Sequence, residues 1–181
     1  MKKFFIFGVI AVVIIGAIFY FSGQNNFDLS CVTEEAEQIV RGQSLSGLIE
    51  EGQTIKMLKG FYNCNPVRRG DVIVYGYSGQ PEPIIKIAQG LPGDSFSLAK
   101  NHRGNYNIVI NGQAAKNSAG QSYELPEGRQ QMLALYSNDY QGVIPANAYL
   151  ILGNQTEGSL DSTRFGLIGK EGIMGKVEAN R

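Results

Sequence analysis

Histidine is almost missing from this chain of 181 residues: His102 stands alone, beside two cysteines, Cys31 and Cys64. That scarcity leaves no ligand set for a transition-metal site, which draws on three or four His, Cys and carboxylate groups, and neither metal nor cofactor is expected. It also weakens a Ser-His-Asp triad, because the single imidazole lies in the polar turn Lys100-Asn101-His102-Arg103-Gly104. Net charge is missing too. Sixteen Lys and Arg balance sixteen Asp and Glu, and no basic block is interleaved with aromatics, which excludes nucleic acid as a partner. The chain has no internal repeat, low-complexity tract, P-loop or dinucleotide fingerprint.

Charge is also absent from one long stretch. After Met1-Lys2-Lys3, the run from Phe4 to Phe21 carries no ionisable group. As a helix rising about 1.5 Å per residue it would span roughly 27 Å, close to the hydrocarbon thickness of a bilayer. Lys2 and Lys3 precede it, so the positive-inside rule puts the N-terminus in the cytoplasm and the body outside. A cleaved signal peptide is the competing reading, but no A-x-A site follows the run. The expected organisation is a cytoplasmic tip and transmembrane anchor over residues 1–22, a tether over 23–37 and an extracytoplasmic domain over 38–181, in contact with the lipid bilayer. Cys31 and Cys64 then both face a compartment that permits a disulfide. Whether they come within bridging distance is left open.

The domain itself reads as mainly β. Short apolar runs rich in Val, Ile and Tyr alternate with turn residues, and the 23 glycines punctuate them. Thr33 to Gln38 reads as a helical turn or irregular lead-in, followed by extended Gln38 to Val40. Strands are expected at Thr54–Leu58, Val72–Tyr75, Ile84–Ala88, Tyr149–Leu152 and Ile173–Val177. Asn105 to Ile110 alternates and ends at Asn111-Gly112, a strong hairpin signal. Ala114 to Tyr140 has few periodic cues and reads as an excursion, so that about residues 98–148 form an inserted subdomain.

Two segments carry chemistry. Ile84 to Asp94, IIKIAQGLPGD, sets Lys86 in an apolar run that breaks at Gly90, Pro92 and Gly93. Desolvation disfavours the ammonium form and can make a lysine a base near neutrality. Arg41 to Gln53 packs glycines and serines around Leu45, Leu48 and Ile49. A serine hydroxyl needs a base to become a nucleophile, and a Ser-Lys pair supplies one without histidine. Ser44 and Lys86 are the natural pair.

Four segments in order resemble those of the type I signal peptidases, a Ser-Lys dyad (S26) family of membrane-anchored proteases. Residues Gln43 to Gln53 resemble the nucleophile segment G-x-S-M-x-P-T-L-x-x-G-D. Arg69-Gly70-Asp71 with Val72 to Val74 resembles R-G-D before an apolar run, and Lys86 to Asp94 resembles K-R-x-x-G-L-P-G-D. Gly153 to Thr163 resembles G-D-N-x-x-x-S-x-D-S-R. The resemblance implies a signal-peptidase-like β fold, with a LexA-like catalytic core and an inserted β subdomain, behind one N-terminal transmembrane helix. It implies a membrane-bound serine endopeptidase that removes signal peptides from exported preproteins through an acyl-enzyme.

By position, the resemblance makes Ser44 the nucleophile, Lys86 the general base and Ser159 the residue that orients the lysine. The oxyanion hole falls to the Ser44 backbone N–H and the Gly42 region. Gln38, Val40, Leu45, Ile84 and Ile85 fall to substrate pockets for small side chains at the −1 and −3 positions, and Asp71, Gly90, Pro92, Gly93, Asp94, Gly153, Asp161 and Ser162 to the framework. The chain departs from the pattern at Gln43, Gly47, Gln53, Ile87, Asn154-Gln155 and Thr163, where the family has Gly, Pro, Asp, Arg, Asp-Asn and Arg. These departures leave two alternatives: an inactive membrane-anchored β domain that binds exported chains or scaffolds a secretion complex, and a specialised conjugative-transfer-type signal peptidase.

Overall fold

Runs of β-branched and aromatic residues build most of the molecule. The computed structural model describes residues 27–78 and 81–178, and the apolar run at the N-terminus lies outside them. In chain order the strands are β1 (Glu34–Ile39), β2 (Thr54–Lys59), β3 (Val72–Tyr75), β4 (Ile84–Gly90), β5 (Phe96–Lys100), β6 (Tyr106–Ile110), β7 (Gln113–Ala114), β8 (Glu124–Leu125), β9 (Ala148–Leu152), β10 (Ile168–Gly169) and β11 (Ile173–Glu178). Among the described residues two short α-helices, α1 (Gln131–Asp139) and α2 (Ser162–Phe165), and two 3-10 turns, Phe61–Asn63 and Lys170–Gly172, complete the regular structure. Among the described residues no helix is long and apolar enough to cross a membrane.

Seven strands form one antiparallel sheet in the order β1-β2-β11-β3-β4-β9-β10. Because side chains alternate along a strand, neighbouring residues serve different cores. Ile73 and Ala88 pack with Phe61, Tyr62 and Ile151, whereas Val74 and Ile87 pack with Val40, Leu45, Ile49 and Ile55. Leu150 and Leu152 of β9 enter a third cluster with Phe96, Ile108, Tyr123 and Leu133. That cluster lies beneath a second sheet, in which β6 pairs with β5, β7 and β8. The expected hairpin joins β6 to β7, with Asn111 and Gly112 at φ values of 50° and 75°, as a two-residue turn between antiparallel strands demands.

The lead-in differs from its sequence reading. Residues 34–39 form an edge strand rather than a helical turn or irregular segment, paired to β2 in register Glu34↔Lys59 through Ile39↔Thr54. Its acidic side chains meet lysines across the ladder, Glu35 with Lys56 and Glu34 with Lys59, and charge is what an exposed edge strand carries. Just before it, Cys31 and Cys64 form a disulfide with their Cα atoms 5.8 Å apart. Asn65 fixes the same segment by accepting from Asp28 N–H at 3.0 Å and donating to Asp28 O at 2.7 Å.

Candidate active site

The loop between β1 and β2 is a series of tight turns plugged into the core. Ser46 N–H donates to Gln43 O, and the N–H groups of Leu48 and Ile49 both donate to Leu45 O. Leu45 and Ile49 are 2% and 1% exposed, and burying side chains of that size contributes about 1.5–3 kcal/mol each. Ser44 is therefore held by the residue that follows it. Gly47, at φ 86°, donates its N–H to Glu50 Oε1 at 2.7 Å. Proline offers neither that dihedral nor that donor, which accounts for glycine at a position where the resemblance implies proline.

Lys86 comes from β4. Its Cα neighbours are Ile73 across the β3 pairing and the flanking Ile85 and Ile87, and the residue is 4% exposed. Lys86 Nζ donates to Ser44 Oγ at 2.8 Å and to Ile85 O at 2.7 Å. Desolvation moves the lysine pKa down to about 8, against the opposing pull of the Asp161 carboxylate. These distances are those of a nucleophile and a base within proton-transfer reach.

The turn after β9 supports the pair from the other side. Asp161, fully buried, accepts from Gly153 N–H at 3.0 Å, from Ser159 N–H at 2.9 Å and from Ser159 Oγ at 2.7 Å on one carboxylate oxygen. Its other oxygen accepts from Thr163 N–H at 3.0 Å and Thr163 Oγ1 at 2.6 Å. Ser159 thus gives its hydroxyl proton to Asp161, and the hydrogen bonds of Lys86 Nζ go to Ser44 and Ile85. Ser159 still stands close to Ser44: a Cβ on Gly153 would lie 2.4 Å from Ser159 Oγ and 2.7 Å from Ser44 O. Ser162 Oγ accepts from Ile151 N–H at 2.9 Å and ties the turn to β9.

An open groove of about 580 Å³ runs past Ser44 and Lys86. One wall is Gln38 to Arg41 with Leu45, the other Glu82 to Ile85, and Leu160 closes it. The five side chains expected at substrate pockets, Gln38, Val40, Leu45, Ile84 and Ile85, all line it. Arg41 and Glu82 pair across its mouth. In the region expected to form the oxyanion hole, Gly42 N–H is engaged by Glu51 Oε1 at 2.9 Å, whereas Ser44 N–H has no partner among the described residues. Asp71 and Asp94 act at a distance from the groove. Asp71 accepts from Tyr62, Arg68 N–H and Lys176, and Asp94 accepts a two-pronged contact from Arg69 at 2.8 and 2.7 Å. Gly90 sits where a Cβ would lie 2.5 Å from Ile144, Gly93 N–H bonds Ile144 O, and Pro92 lies in the turn between them.

Asn154 and Gln155, departures from the family pattern, clamp the Ser44 loop in the structure. Asn154 N–H donates to Ser44 O at 2.6 Å, Asn154 Nδ2 to Ser46 O at 2.9 Å and Gln155 Nε2 to Gln43 O at 3.1 Å. Asn154 Oδ1 accepts from Ser118 N–H at 2.9 Å, and Tyr123 OH donates to Gly153 O at 2.6 Å. Residues near the second sheet therefore brace the site, with no motif to announce them.

A family model described as signal peptidase, peptidase S26, matches residues 2–180 of the chain. The chain is similar to a signal peptidase IB of Staphylococcus aureus (strain COL), 27% identical over 146 residues that make up 76% of this chain and 73% of that protein. It is also similar to a signal peptidase I of Bacillus caldolyticus, 26% identical over 147 residues, 77% of this chain and 75% of that one. Among solved structures, a crystal structure of a signal peptidase I from Enterococcus faecalis V583 aligns with TM-score 0.45 and 20% identity, covering 63% of this chain and 98% of the other.

Proposed function

The chain belongs to the signal peptidase family, peptidase S26, and from that premise we propose that it removes signal peptides from exported preproteins by a Ser44–Lys86 dyad. It is a hydrolase of the signal peptidase I type, as its relatives are. The observation that carries the dyad is the 2.8 Å contact between Lys86 Nζ and Ser44 Oγ in a dry setting.

In the proposed reaction an extended substrate adds as a strand between the edges of Gln38–Val40 and Ile84–Ile85, by main-chain hydrogen bonds. Neutral Lys86 takes the Ser44 proton as Oγ attacks the carbonyl carbon of the −1 residue. The oxyanion is received by Ser44 N–H, and Lys86 returns the proton to the leaving amine. The acyl-enzyme is then opened by a water that Lys86 deprotonates, so the base serves both half-reactions. Small side chains at −1 and −3 suit a shallow groove whose floor is Val40 and Leu45. Ser159, bonded to Asp161, orients the lysine side of the site through the turn it belongs to. The run from Phe4 to Phe21 anchors the protein in the cell membrane, with the N-terminus cytoplasmic and the catalytic domain outside.

The test is cleavage of a preprotein by purified full-length protein in detergent or vesicles. Ser44→Ala and Lys86→Ala are each expected to abolish processing while the variants remain folded. Undiminished cleavage by either variant overturns the dyad.

A further inference from the structure

Arg129 enters the site from outside the four segments that carry the family resemblance. It lies in the turn before α1, half-buried, and reaches across to the turn after β9. Its Nη2 donates to Ser159 O, and its Nε donates to Thr163 Oγ1 at 3.0 Å. Thr163 Oγ1 in turn donates to Asp161 Oδ1 at 2.6 Å. The guanidinium thus holds both ends of the loop that presents Ser159 and Asp161. Gly158 leaves room for it: a Cβ there would lie 3.1 Å from Arg129 Nε and Nη2 and 2.8 Å from Thr163 Oγ1. Two N–H groups in a fixed fork make arginine suited to such a double contact, which lysine cannot reproduce.

We propose that Arg129 is a positioning residue for the Ser44–Lys86 pair, gripping the 158–163 turn and offsetting the buried Asp161 charge beside the lysine. This rests on the reading of Ser44 and Lys86 given above. The charged groups on the elements around Lys86 are Arg41, Glu50 and Glu51 of the nucleophile loop, Glu82 before β4, and Glu157, Asp161 and Arg164 about the turn. Arg41 and Glu82 pair with each other, and Glu50 and Glu51 accept from Gly47 and Gly42 N–H. Asp161 is the one whose charge acts on Lys86, favouring its ammonium form, and Asp161 also attracts Arg129. Removing the cation leaves more of the Asp161 field on the lysine and a looser Ser159 turn. The first depletes the neutral base, and the second loosens its placement against Ser44.

The experiment compares Arg129→Gln and Arg129→Lys with wild type in the full chain. Lys86 titration is followed by NMR of lysine labelled at Cε, and preprotein cleavage is followed as kcat and KM against pH. In Arg129→Gln, Lys86 titrates at higher pH, and kcat at pH 7 falls by roughly three- to tenfold, the factor carried by up to one unit of lysine titration. KM is unchanged, and most of the loss is recovered at high pH. Arg129→Lys keeps the wild-type titration because the charge remains, while kcat stays reduced because the fork is gone. Unchanged Lys86 titration in Arg129→Gln overturns the proposal, as does a kcat loss equal at all pH values. Should Arg129→Gln not fold, Thr163→Val, which cuts the relay to Asp161, is read in the same way. Ser44→Ala run in parallel separates the two readings: if it cleaves like wild type the dyad fails, while the lysine titration still decides the role of Arg129.

Discussion

Replacing Lys86 with methionine should abolish cleavage and stabilise the protein at neutral pH. At pH 7 the lysine is protonated in both the folded and unfolded chain, so the folded state bears the whole cost of a charged group in a dry site. The fall from 10.5 to about 8 corresponds to roughly 3 kcal/mol at about 1.4 kcal/mol per unit. Methionine keeps an unbranched stem and no charge. It also deletes the hydrogen bonds to Ser44 Oγ and Ile85 O, each worth about 0.5–1.5 kcal/mol. The net gain is about 1–2 kcal/mol. Its pH dependence follows from the depressed pKa. Between about pH 8 and 10.5 the unfolded chain binds more protons than the folded one, so wild-type stability rises with pH across that window. Above it both lysines are neutral and the cost is gone. The advantage of Lys86→Met should therefore be full below pH 8, shrink through the window and be lost near pH 10.5. Urea midpoints at constant m measure it. A variant less stable than wild type at pH 7, or an advantage that does not change between pH 7 and 11, refutes the claim that Lys86 is held in a desolvating site.

Three further outcomes are expected. With the lysine titrating near pH 8, kcat/KM should climb about tenfold per pH unit below that value and level above it; a flat profile from pH 6 to 9 would contradict a lysine base. Gly153→Ala places a methyl 2.4 Å from Ser159 Oγ and 2.7 Å from Ser44 O, so it should lower kcat by at least about tenfold and stability by about 1–3 kcal/mol, read by cleavage kinetics and thermal melting. Cys31→Ser with Cys64→Ser opens a link spanning 33 residues and should cost about 3–4 kcal/mol with kcat at 25 °C preserved, because the bridge lies outside the groove; a large kcat loss in the folded variant would show that the bridge shapes the site.

The central strands were legible because Val72-Ile73-Val74-Tyr75 and Ile84-Ile85 can be satisfied only by burial on a pleated surface. The edge strand β1 was not, since its Glu34, Glu35 and Glu37 give no apolar pattern; its partners are lysines on β2, 19 or more residues away in the sequence. Helix α1 was hidden for a similar reason, burying only Leu133 and having no side-chain cap. Within the site, Ser44 and Lys86 could be picked out by chemistry, one in a glycine-rich turn and the other in an apolar run. Asn154, Tyr123 and Arg129 could not, because polar residues that bond backbone groups leave no periodicity. Gly47 and Asn154 appeared as separate departures, yet a Cβ on Gly47 would lie 3.3 Å from Asn154 Nδ2. The two positions answer to one contact.

Strand β11 is the last described strand in sequence but lies third in its sheet, between β2 and β3. Ser44 lies in the loop between β1 and β2 on one side of it, and Lys86 belongs to β4 on the other. Residues 173–178 supply the ladder between the two halves, and Gly175 fits there with no side chain to obstruct Leu58 O, which a Cβ would approach to 2.5 Å. The order of the sheet thus makes β11 a keystone: the half that bears Ser44 and the half that bears Lys86 share a backbone ladder only through it.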